Sequence, residues 1–483
     1  MNKATLSLTA ALVFATAALA GPADSGLQDY DLVLAGGRVI DPETGLDAVR
    51  NVAIREGRIA RVTTDELAGK RVIDASGLVV APGFIDLHQH GQALEDGALK
   101  ALDGVTTALE MEIGQPNVAA FLESKHGRSL IHYGTTASHA AARAAAFDTP
   151  LNEDELIAPT GPSTNEPATD EQLLRIEATL RSELAAGALG IGMGIQYTPG
   201  ALRSEVIKTF RLAAETGVPV FTHVRSFGRL EPGSSIESVG EVIAAAAVTG
   251  ASLQIVHINS SCVADALECL DMVAGARARG LDVTTEAYPY VAGMTDLRSA
   301  LFNPGWREKL GVDYDAIRLP GTGERLTRQR FEALRASTEP VGVLVFMNRQ
   351  ETVDAVIRHP LVMIASDGED GHPRNAGSFA RILAHYVRDT GQLTLMDAMT
   401  KMTLMPAQRL EPAVPSARLK GRVQEGADAD LAVFDLATVS DRASFSEPAL
   451  PSVGMRYVLV GGTVVVDEGR VMPERFPGQA VRR

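Results

Sequence analysis

Apolar and polar positions in this 483-residue chain follow two different periods. From residue 31 to 83 they alternate, and Gly-rich pairs interrupt them, which is the signature of short strands joined by tight turns. Asp31–Ile40 predicts a hairpin turning at Gly36-Gly37, and Asn51–Ala60 another turning at Glu56-Gly57. The same pattern returns late in the chain. Ala429–Asp435 reads as a strand, and Tyr457–Asp467 as a further Gly-Gly hairpin. Similar hairpins at both ends predict one small β-sandwich, built from residues 28–80 plus 418–475.

Between these ends the period changes. Short apolar strands, ending at His90, Glu112, Ala137, Ile195, Val224, Asn259, Tyr290 and Asp367, alternate with Ala- and Leu-rich helices. The helices cover about 168–186, 202–216, 236–249, 264–279 and 377–390. Asp170-Glu171 charges the first turn of the 168–186 helix and Gly187 stops it. Strand–helix alternation over residues 81–417 predicts a (β/α)8 TIM-like barrel. An open doubly wound sheet would need a Gly-rich phosphate turn after an early strand, and the chain has none. Residues 304–340, rich in Pro, Arg, Glu and Thr and holding the sole tryptophan, Trp306, break the alternation. They are expected to form an insertion over the barrel mouth, a candidate lid.

Composition narrows the class. The net charge of -15 is spread without long acidic blocks, which argues against nucleic acid as a partner. Met1-Asn2-Lys3, an apolar run and Ala18-Leu19-Ala20 form a secretory leader, residues 1–20. Cleavage after Ala20 would deliver the protein to a bacterial periplasm or outside the cell, with no remaining membrane anchor. Cys262 and Cys269 are the two cysteines. On one continuous helix they would stand about 10.5 Å apart along the axis. A bridge needs Cα atoms within about 7 Å, so no disulfide is expected.

The candidate chemistry begins at Val80–Gly91, where two apolar runs flank Pro82-Gly83 and end in His88-Gln89-His90. Residues i and i+2 of a strand face the same side, so both imidazoles converge beyond the strand's carboxyl end. Two imidazoles there make half of a first-row metal site. Catalytic groups of a (β/α)8 barrel sit at that same end of the strands. His223, His257 and Asp367 each close a predicted strand, as do Glu110 and Glu112, either of which could bridge two metal ions.

At these residues the chain resembles the amidohydrolase superfamily, and within it the N-acyl-D-amino acid deacylase (D-aminoacylase) group. The resemblance is carried by Ala81–His90, Thr222-His-Val-Arg-Ser, Ala287-Tyr-Pro-Tyr-Val-Ala-Gly, Ala365-Ser-Asp-Gly, Gly371-His-Pro-Arg and the tail Asp441–Pro448. It implies a barrel with a β-sandwich, one or two zinc ions, and hydrolysis of a small-molecule amide. His88 and His90 would hold the buried ion, His223 and His257 the other, with Glu112 between them. Asp367 would take a proton from the attacking water and return it to the leaving amine. Two departures from the group's pattern stand out. Glu112 occupies a region where the group carries a bridging cysteine, and Asn259 stands where it often has a lysine for the substrate carboxylate. The carboxylate partners are then expected among Tyr290, Arg298, Arg225 and Arg374, with Arg298 placed where specificity for acidic side chains could arise. The same fold also accommodates dipeptidases and cyclic-amide or lactone hydrolases, or a non-catalytic periplasmic binding protein. The sequence leaves the bridging carboxylate, the substrate side chain and a homo-oligomer open.

Overall fold

The computed structural model describes Met1, residues 30–151 and residues 155–483. The expected leader lies outside the described residues. Eight parallel strands form the central sheet, in the order 362–364, 283–287, 253–255, 220–223, 191–194, 132–138, 105–115 and 84–86. All seven neighbouring pairs run parallel. Their residues are almost entirely buried, as expected where helices cover a parallel sheet. The helices fall close to their predicted places, at Asp170–Ala185, Arg203–Thr216, Ser235–Thr249 and Ala266–Ala278. The first is capped by Thr169 and Gln172 in a reciprocal box. The next two end on Gly217 and Gly250, whose positive φ closes the last turn.

The seam between the first and last barrel strands is closed differently. No ladder joins them; instead Gln89 bridges to Gly368, and His90 N donates to Gly368 O at 2.8 Å. Beneath that bridge lies a buried polar knot. Lys100 Nζ reaches Asp86 Oδ2 at 2.9 Å and Ser366 Oγ at 2.6 Å. The Ser366 amide donates to Asp86 Oδ1 at 2.9 Å. Lys100, Asp86 and Ser366 are all fully buried, so this knot rather than a ladder ties the strand before His88 to the strand before Asp367.

A second sheet of nine strands unites the two ends of the chain. Val79–Pro82 pairs antiparallel with Leu431–Phe434 and parallel with Tyr30–Asp41, so the N- and C-terminal parts share a ladder. Leu34, Val52, Val80, Leu431, Val433 and Leu459 bury one common core there. Met455–Val460 and Thr463–Asp467 form the predicted Gly461-Gly462 hairpin. The turn expected at Gly36-Gly37 does not form. Tyr30–Asp41 is one strand, and the two glycines sit at a register shift within it. A Cβ on Gly37 would lie 2.5 Å from Val80 Cγ2, so this glycine serves close strand packing instead of a turn.

The break at 304–340 belongs to a longer excursion that begins at Ala292. Ala292–Asp296, Ile317–Arg318 and Gly342–Phe346 make a small antiparallel sheet. Phe302, Trp306, Tyr314 and Phe331 pack as its own aromatic cluster, with centroids 5.1 to 5.5 Å apart. One sequence expectation is overturned: Cys262 and Cys269 form a disulfide, with Cα atoms 6.6 Å apart. The helical path is not continuous between them. It stops at Cys262, passes through Val263 at φ 48° and restarts at Ala266, which shortens the separation to bridging range.

Candidate metal centre and active-site cavity

The structure brings His88, His90, Glu112, His223, His257 and Asp367 together at the carboxyl end of the barrel strands, all but His90 buried. Their ligand atoms form two groups that share Glu112: His88, His90, Glu112 and Asp367 in one, Glu112, His223 and His257 in the other. Glu112 Oε2 is 3.2 Å from Nε2 of both His88 and His90. Its Oε1 is 2.5 Å from His223 Nδ1 and 3.0 Å from His257 Nε2. Asp367 Oδ1 lies 3.3 Å from His88 Nε2 and 3.2 Å from His90 Nε2. Glu110 stands outside this ring, behind His90.

The rings are aimed from behind. His88 Nδ1 contacts Glu286 at 2.7 Å, and His90 Nδ1 contacts Glu110 at 2.6 Å. His257 Nδ1 meets Ser261 Oγ at 3.1 Å. A carboxylate on Nδ1 fixes the proton there and turns the Nε2 lone pair forward. The forward lone pairs of His88 and His90 then face one another at 3.2 Å. That arrangement repels itself unless a cation lies between the two nitrogens. The electrostatics agree. Burial disfavours charge on both rings, yet the surrounding carboxylates outweigh it and push both pKa values well above the ordinary histidine value. The donor set of imidazole and carboxylate suits a first-row divalent ion. Two of the site residues also hold backbone conformations rare outside glycine, His257 at φ 33° and Asp367 at φ 52°.

Asp367 is gripped on its other side by Arg374, whose Nη1 is 2.6 Å from Oδ2. Burial raises the Asp367 carboxyl, but Arg374 and the imidazoles outweigh it and hold the group well below the usual carboxylate range. Arg374 also reaches Glu369 at 2.8 Å and lies over the Tyr288 ring at 4.7 Å. It is fully buried and is absent from the cavity wall.

Above the ring opens a cavity of about 290 Å³, lined by His90, Glu112, His223, His257, Asp367 and Tyr288 below. Leu156, Ile157, Met294, Leu301, Val345 and Met347 contribute to an apolar upper wall. Only Pro340 of the segment 304–340 reaches it, and the remainder of the roof comes from residues on either side. Of the five residues expected to bind substrate, Arg298 alone lines this cavity. Arg225 is forked onto Glu241 at 2.6 and 2.9 Å. Asn259 is buried, its amide donating to Tyr288 O. Tyr290 turns away and packs against His372 and Phe445. Tyr288, two residues earlier, lines the cavity where Tyr290 does not. Its hydroxyl is buried beside Ser260 and Arg374, and burial pushes its pKa up to about 12, so it remains a proton donor. Glu286, Ser261 and Tyr197 carry no motif signal, although Glu286 precedes the Tyr-Pro-Tyr stretch and faces the barrel interior like an i+2 partner of Tyr288.

A parallel (β/α)8 barrel with four imidazoles converging on a shared carboxylate defines a metal-dependent hydrolase. The chain belongs to the amidohydrolase family, whose model matches residues 71–466. It is 31% identical to an N-acyl-D-glutamate deacylase of Alcaligenes xylosoxydans xylosoxydans, across 94% of this chain and 97% of that protein. A D-aminoacylase of the same organism is also 31% identical, across 95% and 98%. Among solved structures, the N-acyl-D-glutamate deacylase of Bordetella bronchiseptica, in complex with zinc and a phosphonate that mimics the tetrahedral intermediate, superposes with a TM-score of 0.77. It is 28% identical, covering 94% of this chain and all of that one.

Proposed function

We propose that this protein is a zinc-dependent deacylase that hydrolyses N-acyl-D-amino acids to a carboxylate and a free amino acid. The observation that carries the reading is Glu112, one carboxylate within 3.2 Å of four imidazoles at the floor of an apolar cavity. The relatives named above support the amide as substrate class. His88 and His90 would hold one ion, His223 and His257 the other, with Glu112 between them and Asp367 beside the first pair. Zinc bound there supplies Lewis acidity and lowers the pKa of a bound water toward about 7. Asp367, ionised across the working pH range, accepts the proton of the attacking water and delivers it to the leaving nitrogen. Arg374 keeps that carboxylate charged and oriented. Tyr288, as a neutral phenol, donates to an oxygen of the bound substrate, and the apolar roof excludes bulk water.

Export is part of the same proposal. The leader-like N-terminus and the Cys262–Cys269 bridge both suit an oxidising compartment. The test is release of free amino acid from N-acetyl-D-methionine and its L form by zinc-loaded protein, with metal content measured alongside. The D form is expected to turn over at least tenfold faster. A metal-replete protein inert toward both forms overturns the proposal.

A further inference from the structure

Among the described residues lining the cavity Arg298 is the one arginine or lysine, and its two forking edges are already occupied. Nε and Nη2 grip Asp296, with Nη2 at 2.7 Å from Oδ2 and Nε at 3.1 and 3.2 Å from the two oxygens. On the other edge Nη1 donates to Thr338 O at 2.9 Å and Nη2 reaches Glu155 Oε1 at 3.4 Å. Asp296 is itself anchored, since it accepts the Arg298 backbone N–H at 2.7 Å. The Arg298, Glu155 and Asp296 side chains are 12%, 14% and 28% exposed, so solvent screens the three charges only in part.

We propose that Asp296 is a specificity-determining residue, which withdraws Arg298 from substrate and restricts the site to N-acyl-D-amino acids with uncharged, apolar side chains. This rests on the deacylase reading and names its substrate class. An arginine recognises a carboxylate through a free fork of N–H donors. Here a substrate carboxylate would have to displace the half-buried Asp296 and leave it unpaired, or else lie against Asp296 and Glu155 as a like charge. An aliphatic chain meets Leu156, Ile157, Met294, Leu301, Val345 and Met347 at no such cost. The charge that could mark Arg298 as an acid-binding residue is therefore cancelled two positions away along the same chain.

The test compares kcat/KM for N-acetyl-D-norleucine and N-acetyl-D-glutamate on the zinc-loaded full chain. Norleucine is expected to win by about 100-fold, the order expected when like charges are brought together in a partly buried site. Asp296→Asn frees the fork and should lower that ratio at least tenfold by raising glutamate turnover. Arg298→Gln decides the matter if Asp296→Asn does not fold. Because Arg298 is withdrawn from substrate and its loss leaves Asp296 and Glu155 as uncompensated like charges, the ratio should hold or rise while norleucine turnover stays within about threefold of the parent's. Glutamate hydrolysed as fast as norleucine by the parent overturns the inference. So does a tenfold fall of the ratio in Arg298→Gln, or an unchanged ratio in folded Asp296→Asn. Absence of norleucine turnover in zinc-loaded protein sinks the deacylase reading, and this inference with it.

Discussion

The floor and the roof of the cavity are built in different ways. On the floor, each ligand stands at or just beyond the end of a buried parallel strand, and His88, His90 and His257 each have a hydrogen-bond partner behind them. On the roof, the wall comes from the excursion between Ala292 and Met347 and from residues 155–159, which are far apart in sequence. A strand ladder sets where a side chain begins and which way it faces. A wall assembled from loops and a small edge sheet takes its chemistry from whichever partners arrive, as Asp296 and Thr338 do for Arg298. The floor therefore encodes reaction type and the roof encodes substrate choice.

Removing metal should strike the floor alone and most severely. Chelation is expected to bring amidase activity to background, and added zinc to restore it. Activity that survives exhaustive chelation would break the division. Asp367→Asn should lose at least about 100-fold in kcat while metal content stays constant, as for loss of a general acid–base. A loss of metal together with rate would make Asp367 chiefly a ligand. Glu286→Gln, behind His88, should weaken metal binding by about 10- to 100-fold, read by competition with a chelating dye. Lys100→Met leaves Asp86 buried without its cation and should cost about 3–5 kcal/mol in chemical unfolding. A smaller cost would mean that the seam is closed by Gln89 and Gly368 rather than by the knot. At the boundary with the roof the effects shrink. Tyr288→Phe should lower kcat/KM about tenfold, the size of one hydrogen bond to a charged group, while Tyr290→Phe should stay within about threefold. The reverse ranking would show that Tyr290, not Tyr288, serves the substrate.

Each region was legible to a different degree. The Gly461-Gly462 hairpin was readable because its turn and its flanking alternation are local. Gly36-Gly37 carried the same local signal, but Val80 comes so close that a glycine is needed inside the strand, and only the assembled sheet reveals that contact. The disulfide is hidden in the sequence because an intact helix would hold Cys262 and Cys269 apart, and the break at Val263 carries no breaker residue. Tyr288 and Tyr290 are chemically identical and two apart. Choosing between them requires knowing how the chain turns after the strand Val283–Ala287.

The sequence alone determined the barrel, the end-to-end sheet and the four histidines and one aspartate that could meet around metal, with Glu110 or Glu112 among them, because hydrophobic period and strand-end position are properties of neighbouring residues. Tertiary structure alone decided that Glu112 rather than Glu110 lies between the two imidazole sets, that Arg374 grips Asp367, and that Arg298 is neutralised. Those outcomes depend on distances between side chains brought together by folding, and a charge keeps its chemical meaning only until its partner is known.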